Sequence, residues 1–302
     1  SQIFAYLAEK WDLTTSVDSD GDGFTDAVEK GKGTSPIDPS DKPSDLPSLL
    51  LADANKLWLD AENIDGEGNA SLSDGDDISE WKDLSGFGHH LNQSDANKQP
   101  LLVAGENGEN DVIRFDSDRL SRNTFSGWPD GSITVFIVQK GKDDKASTMA
   151  IEGFTSSTQG RFNIHLVWSG NTSWDYGNIS GGSYGRLWAA HGEHNTDQHY
   201  IYEFSYNDAS SDMYTYKNAT QLGYLDSTVS NVTNINGQSG YTLHVGSDDG
   251  TSNVWFTGDI AEILVFDKDL SSEESTTINA YLSHKWGLSI DSDGDGIKDA
   301  YD

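Results

Sequence analysis

From about Lys56 to Lys268 the chain is written in short segments that alternate apolar and polar residues, separated by Gly, Asn, Asp and Ser, with no competing helical period before residue 271. The clearest run from Ile133 to Gln139, Arg161 to Trp168, Tyr200 to Tyr206, Met213 to Lys217, Tyr241 to Gly246 and Asp259 to Phe266. A period of two sends successive side chains to opposite faces of a strand. Many such strands without intervening helices predict two antiparallel sheets packed face to face. The expected fold class is therefore all-β. Aromatic residues make up 11% of the chain and 9 of them are Trp, which supports a packed core and argues against a disordered acidic tail.

Charge narrows the partners. With 19 basic and 50 acidic side chains the net charge is −31. Nucleic-acid phosphates and anionic headgroups depend on Lys and Arg clusters for binding, so neither is an expected partner, whereas divalent cations are. The absence of Cys removes disulfides, thiolate metal sites and cysteine nucleophiles. No apolar run approaches membrane-spanning length, so no membrane insertion is expected.

The sequence repeats itself. IFAYLAEKWDL at 3–13 recurs as INAYLSHKWGL at 278–288, and VDSDGDGFTDAVE at 17–29 recurs as IDSDGDGIKDAYD at 290–302. In the second copy Ser271 and Glu274 form a capping-box pair, Ile278, Tyr281, Leu282 and Trp286 recur at helical spacing, and Gly287 is a natural stop. That helix should pack on the preceding domain. Residues 1–16 then read as the terminal helix of a preceding repeat, in a tandem array whose modules are joined by acidic linkers.

The linkers have metal-ligand spacing. Asp18, Asp20, Asp22, Asp26 and Glu29 fall at positions 1, 3, 5, 9 and 12 of a twelve-residue calcium loop, with Gly23 at the sharp turn and the Phe24 carbonyl at position 7. The second copy offers Asp291, Asp293, Asp295, the Ile297 carbonyl, Asp299 and Asp302, where the shorter final Asp predicts weaker binding. The run from Asp18 to Asp41, with Gly33, Thr34, Ser35 and Pro36 after the loop, closely resembles a bacterial thrombospondin type 3 repeat. That resemblance implies a stiff calcium-filled spacer.

The main body carries a second resemblance. LWLDAENID, ISEWKDLSGFGHHL, VIRFDSD and the closing GDIAEILVFDKDLSSEESTTINAYLSHKWGL are similar to a laminin-G-like, concanavalin A-like jelly-roll domain of secreted bacterial proteins. The resemblance implies a two-sheet jelly roll with a short C-terminal helix, an extracellular or cell-surface location, and a role that is more often glycan or protein binding than catalysis. The expected organisation is a terminal helix at 1–16, a calcium linker at 17–47, the sandwich at 48–288 and the start of the next linker at 289–302.

Catalytic signatures are weak. A hydrolase on this fold would carry a Glu-x-Asp-x-x-Glu strand, but Glu262 is a lone carboxylate sharing its strand face with Leu264 and Phe266, and the laminin-G-like resemblance implies a structural place for it in the closing strand. His191 and His194 lack zinc spacing, His89 and His90 adjoin Gly88, all four read as surface or loop residues, and no Ser sits in a Gly-x-Ser-x-Gly elbow. Residues 168–188 combine rings with small polar neighbours, which suits sugar or peptide recognition. Trp174 and Tyr176 are expected to be exposed there, with Tyr184 and Trp188 beside them and Arg186 free to meet a ligand carboxylate. Asp74, Asp76 and Asp77 form a further, incomplete calcium candidate. The expected function is a non-catalytic, calcium-binding, carbohydrate-binding module of an adhesin-like protein. The alternatives are a structural spacer or protein-binding domain, and then a divergent glycoside hydrolase or lyase.

Overall fold

A computed structural model describes residues 2–11, 19, 35, 37, 47–107, 110–125, 131–141, 147–152, 160–178, 185–192, 196–225, 241–248, 254–288, 290 and 291. The chain divides into two units, 1–47 and 48–302. In the first, helix α1 (Gln2–Lys10) leaves Ile3, Phe4, Tyr6 and Leu7 exposed, as is Trp11 just after it.

In the second unit the strands are β1 (Asn55–Asp60), β2 (Glu80–Trp81), β3 (Leu91–Asn92), β4 (Leu101–Asn107), β5 (Asn110–Asp116), β6 (Leu120–Phe125), β7 (Ile133–Gly141) and β8 (Met149–Glu152). They continue as β9 (Gly160–Trp168), β10 (Asn171–Asn178), β11 (Gly185–Ala190), β12 (Tyr200–Asn207), β13 (Asp212–Lys217), β14 (Thr220–Leu225), β15 (Tyr241–Val245) and β16 (Thr257–Phe266), followed by helix α2 (Ser272–Lys285). The first sheet runs β14-β13-β12-β7-β16-β5-β4, with β1 also on β16, and the second runs β11-β10-β9-β8-β15-β6-β3-β2. Every described pairing between strands is antiparallel, and the architecture is a jelly-roll sandwich. The strands expected from alternation are all present, with ends moved by one or two residues. Among the described residues no helix is long and apolar enough to cross a membrane.

Alternation sorts the faces. On β12, Tyr202, Phe204 and Tyr206 point between the sheets, where Phe204 meets Trp174 of β10 with ring centres 5.7 Å apart and Tyr206 meets Tyr176 at 4.5 Å. The opposite face of the first sheet takes Glu203 and Ser205 from β12, Phe136 and Thr134 from β7, and Glu262, Leu264 and Phe266 from β16, in register across the strands. Helix α2 covers part of this face with Ile278, Leu282 and Trp286, all fully buried. Its start is fixed by the reciprocal Ser271–Glu274 capping box, as the sequence predicts, and Gly287 ends it at φ +61°.

A buried carboxylate ties the helix down. Glu262 Oε1 accepts from Trp58 Nε1 at 2.8 Å and the Tyr281 hydroxyl at 3.0 Å, while Oε2 accepts from Trp286 Nε1 at 2.7 Å and Lys285 Nζ at 2.9 Å. Lys285 also bonds Asp60 Oδ2 at 2.5 Å, so the ammonium is shared between two carboxylates. The sequence reading of Glu262 as structural matches this arrangement.

Toward the other end of β16, Asp259 accepts from Arg114 Nε at 2.6 Å and Nη2 at 2.9 Å and lies 2.8 Å from Lys140 Nζ. Gly258 beside it cannot be replaced without a shift, because a Cβ there would stand 2.1 Å from the Lys140 carbonyl oxygen at φ +149°. His199, 4% exposed, has its Nε2 buried without a hydrogen-bond partner. Burial, assisted by Lys140 and Arg114 against the opposing pull of Asp259 and Glu106, holds its imidazole down to a pKa of about 4.

The sign of the pH effect follows. As pH falls below about 6.5 the unfolded chain takes up a proton at His199 that the folded chain refuses until about pH 4, so stability declines across that window, by about 3 kcal/mol in all. His199→Gln should flatten this part of the decline. Urea unfolding of both proteins at pH 7 and pH 4.5 checks it, and equal losses in the two would contradict the assignment.

Candidate functional site

The outer face of the first sheet that α2 leaves open forms a groove. On β13, Tyr214 and Tyr216 are two residues apart and share a face, while Met213 and Thr215, which alternate with them, are buried. Tyr216 lies opposite Glu203 and Tyr214 opposite Ser205 on β12, and Tyr224 of β14 lies opposite Tyr214. The rings form a nearly parallel series: Tyr214 and Tyr224 have centres 4.8 Å apart at 28°, and Tyr214 and Tyr216 are 6.4 Å apart at 25°. Tyr224 is 45% exposed, and the other two are half-buried.

The second wall comes from the first half of α2 and the turn before it. Ser272, Ser275, Asn279 and Asp269 line a cavity of about 270 Å³ with Tyr214, Tyr216 and Glu203. Glu203 is buried and accepts from Ser275 Oγ at 2.5 Å and from Asn279 Nδ2 at 3.1 Å. Burial pushes its carboxyl above the usual carboxylate range, against those two bonds. Burial, with the Glu203 charge, also pushes the Tyr216 phenol up to about 12. Asp269 accepts from Asn207 Nδ2 at 2.7 Å. Asn279 Oδ1 is buried with no donor. Flat rings beside hydroxyl, amide and carboxylate groups are the elements of saccharide recognition.

The region expected to hold the ligand is built differently. Trp174 and Tyr176, expected to be exposed, are fully buried. Both sit on the inner face of β10, and the Asn, Ser and Asp flanking them in sequence project to the opposite side of the strand, so polar neighbours carry no information about the rings. Trp174 Nε1 is buried without a partner. Arg186, expected to await a ligand carboxylate, is forked onto buried Asp175, Nε to Oδ1 at 2.5 Å and Nη2 to Oδ2 at 2.8 Å. Trp188 is 44% exposed, with the Arg186 guanidinium 6.0 Å from its ring centre. Tyr184 lies outside the described residues.

Of the proposed calcium ligands, Asp18, Asp20, Asp22, Phe24, Asp26, Glu29, Asp293, Asp295, Ile297, Asp299 and Asp302 also lie outside the described residues, and Asp291 is half-buried. Asp74, Asp76 and Asp77 are exposed and do not converge. Asp74 accepts from the Ala104 amide at 3.0 Å, Asp76 from the Ser73 amide at 2.8 Å, and Asp77 bridges to Leu101 through its backbone. Among the described residues no group of three or more His, Asp or Glu is placed to hold a metal ion. Two of the histidines expected at surface or loop positions lie in loops and are buried there: His89, whose ring Nδ1 meets the Lys56 carbonyl at 2.9 Å, and His191, whose Nε2 meets the Tyr202 hydroxyl at 2.6 Å.

Sequence reasoning passed over Glu203, Tyr214, Tyr216, Tyr224 and Asn279. The i, i+2 tyrosines on a recognised strand were a usable signal, but the meeting of residues near 203–224 with residues near 269–279 is a tertiary fact.

No family model matches the chain, and no curated protein matches it. Solved structures do. The binding domain of botulinum neurotoxin serotype D superposes with a TM-score of 0.51 at 16% identity, over 78% of this chain and 53% of that one. The binding domain of Paraclostridial Mosquitocidal Protein 1 gives 0.51 at 12% identity, over 77% and 52%. Domain 4 of AbnA, an extracellular arabinanase from Geobacillus stearothermophilus solved with arabinotriose, gives 0.50 at 14% identity, over 73% and 95%. The chain thus spans about half the length of the two binding domains and nearly all of the arabinanase domain, and what it shares with them is the jelly-roll fold.

Proposed function

We propose that this chain is a non-catalytic carbohydrate-binding module of an extracellular or cell-surface protein, and that the sugar lies in the groove between β13 and the start of α2. The observation that carries the reading is the series of near-parallel tyrosines, Tyr216, Tyr214 and Tyr224, beside Glu203, Asp269 and Asn279. The botulinum neurotoxin binding domain and the arabinanase domain solved with arabinotriose support it as analogues of fold. Tyr214→Ala and Tyr216→Ala should each weaken oligosaccharide binding about tenfold, close to 1.4 kcal/mol. Calorimetry with an oligosaccharide chosen from a glycan array measures this, and unchanged affinity in both variants would contradict the site.

A second reading has its own observation: two carboxylates in one cleft, with the proton of Glu203 held more tightly than usual, is also the outline of a glycosidase acid–base pair. Against it, both Glu203 oxygens are occupied by Ser275 and Asn279, which tie α2 to the sheet. Sugar release that disappears in Glu203→Gln while binding persists would establish the enzyme. No release from wild type over the same panel supports the module.

The flanking acidic loops complete the proposal as calcium-binding spacers between repeated modules. The donor set at Asp18–Glu29 suits calcium by oxygen count and Gly placement. Calcium should raise the melting temperature and chelator lower it, and indifference to both would remove calcium from the account. The repeat reading gains support from α1. Tyr281, Lys285 and Trp286 grip Glu262, and their counterparts Tyr6, Lys10 and Trp11 recur in α1, with Lys10 Nζ 5.6 Å and 5.8 Å from the two ring centres. This is the surface that would dock on a neighbouring sandwich.

A further inference from the structure

The second sheet carries a cavity of about 390 Å³ at β3, β6 and β15, remote in register from the tyrosine groove and lined by amides, hydroxyls and two arginines. Asn92, Ser121 and His244 stand in one row across three strands, with Ser121 Oγ 2.7 Å from His244 Nδ1. Arg119 and Arg122 complete the wall. The Nε of each is buried and has no hydrogen-bond partner, and among the described residues neither guanidinium is paired with a carboxylate.

In this chain that is unusual. With 50 acidic and 19 basic side chains, arginine finds carboxylates readily, and Arg114 and Arg186 are each forked onto a buried aspartate. Two unpaired guanidiniums on one cavity therefore keep their donors for something else. A buried N–H without an acceptor costs free energy, and an oxyanion that offers two adjacent oxygens is the group that satisfies a guanidinium fork at two points. The remaining lining, Asn92, Gln93 and Ser121, suits hydroxyls.

We propose that this cavity binds the anionic group, carboxylate or sulfate ester, of an acidic saccharide. The net charge of −31 repels anions at a distance, so the attraction is local to the two arginines and demands close contact. The site is independent of the tyrosine groove, and either assignment can fail alone.

The test titrates the full chain with three soluble oligosaccharides of one galactan-type backbone: uronate-bearing, sulfated and neutral. One or both acidic forms should bind at least tenfold tighter than the neutral form, and which of them does so identifies the oxyanion. Arg119→Gln and Arg122→Gln should each lose tenfold or more for that ligand. If the Gln variants do not fold, Arg122→Lys keeps the charge without the fork and should still lose several-fold. Equal binding of all three saccharides, or affinity within twofold of wild type in the arginine variants, would overturn the proposal.

Discussion

Glu262→Gln should destabilise the sandwich by about 3–5 kcal/mol, the cost of breaking a buried ion pair from one side. The geometry shows why an isosteric change is so costly. All four bonds to Glu262 come from donors, two indole N–H groups, a phenol and an ammonium, so an amide nitrogen placed there would face a donor from either oxygen position. Burial favours a proton on this carboxyl and Lys285 opposes it, and of the four partners only the Tyr281 hydroxyl could accept a hydrogen from the neutral acid, while its oxygen already accepts from Lys285 Nζ at 3.2 Å. The carboxylate is the form the site is built for. Losing it would leave Lys285 with Asp60 alone and would loosen α2, which forms one wall of the tyrosine groove. For a domain of this size the loss corresponds to a fall of about 10 °C in melting temperature. Thermal unfolding of wild type and variant checks it, and a shift under about 2 °C would show that the network is dispensable.

Trp174→Ala should cost about as much, roughly 3–5 kcal/mol, by the cavity it leaves. The ring is fully buried and packs edge-on against Phe162 and Phe204, with centres 6.5 Å and 5.7 Å away. A sugar-binding tryptophan would behave in the opposite way, since an exposed ring can be truncated with little effect on folding and a large effect on affinity. Urea unfolding together with binding by the folded fraction separates the two roles. Near-normal stability with lost binding would return Trp174 to the ligand site and overturn its place in the core.

The contrast between Trp174 and Tyr214 marks how far the sequence could be read. Strand alternation gave the sheets, because each run from Ile133, Tyr200 and Asp259 has to bury one face, and the Ser271–Glu274 box located the helix because capping is local chemistry. Glu262 was legible as structural through the place that the laminin-G-like resemblance gives it in the closing strand. Polarity around a ring was a poor guide to exposure, because in a strand the residues at i−1 and i+1 report on the other side. The reading of His89 and His191 as surface or loop residues holds for the loop but not for exposure, because Phe125 and Tyr202, neighbours brought in from elsewhere in the fold, pack against them. The groove itself is assembled from β12, β13 and α2, and its pairing of Glu203 with Ser275 and Asn279 spans more than 70 residues. No local pattern encodes a meeting at that distance.

The central claim is that a saccharide lies against Tyr214 and Tyr216 under the first turns of α2. Hydrogen–deuterium exchange at saturating oligosaccharide tests it most directly, because it maps the contact without altering a residue. The account predicts slowed exchange in Asp212–Lys217, Thr220–Leu225 and the first half of Ser272–Lys285, with β10 and β11 unchanged. Protection confined to Asn171–Asn178 and Gly185–Ala190, or no protection at saturation, would contradict it.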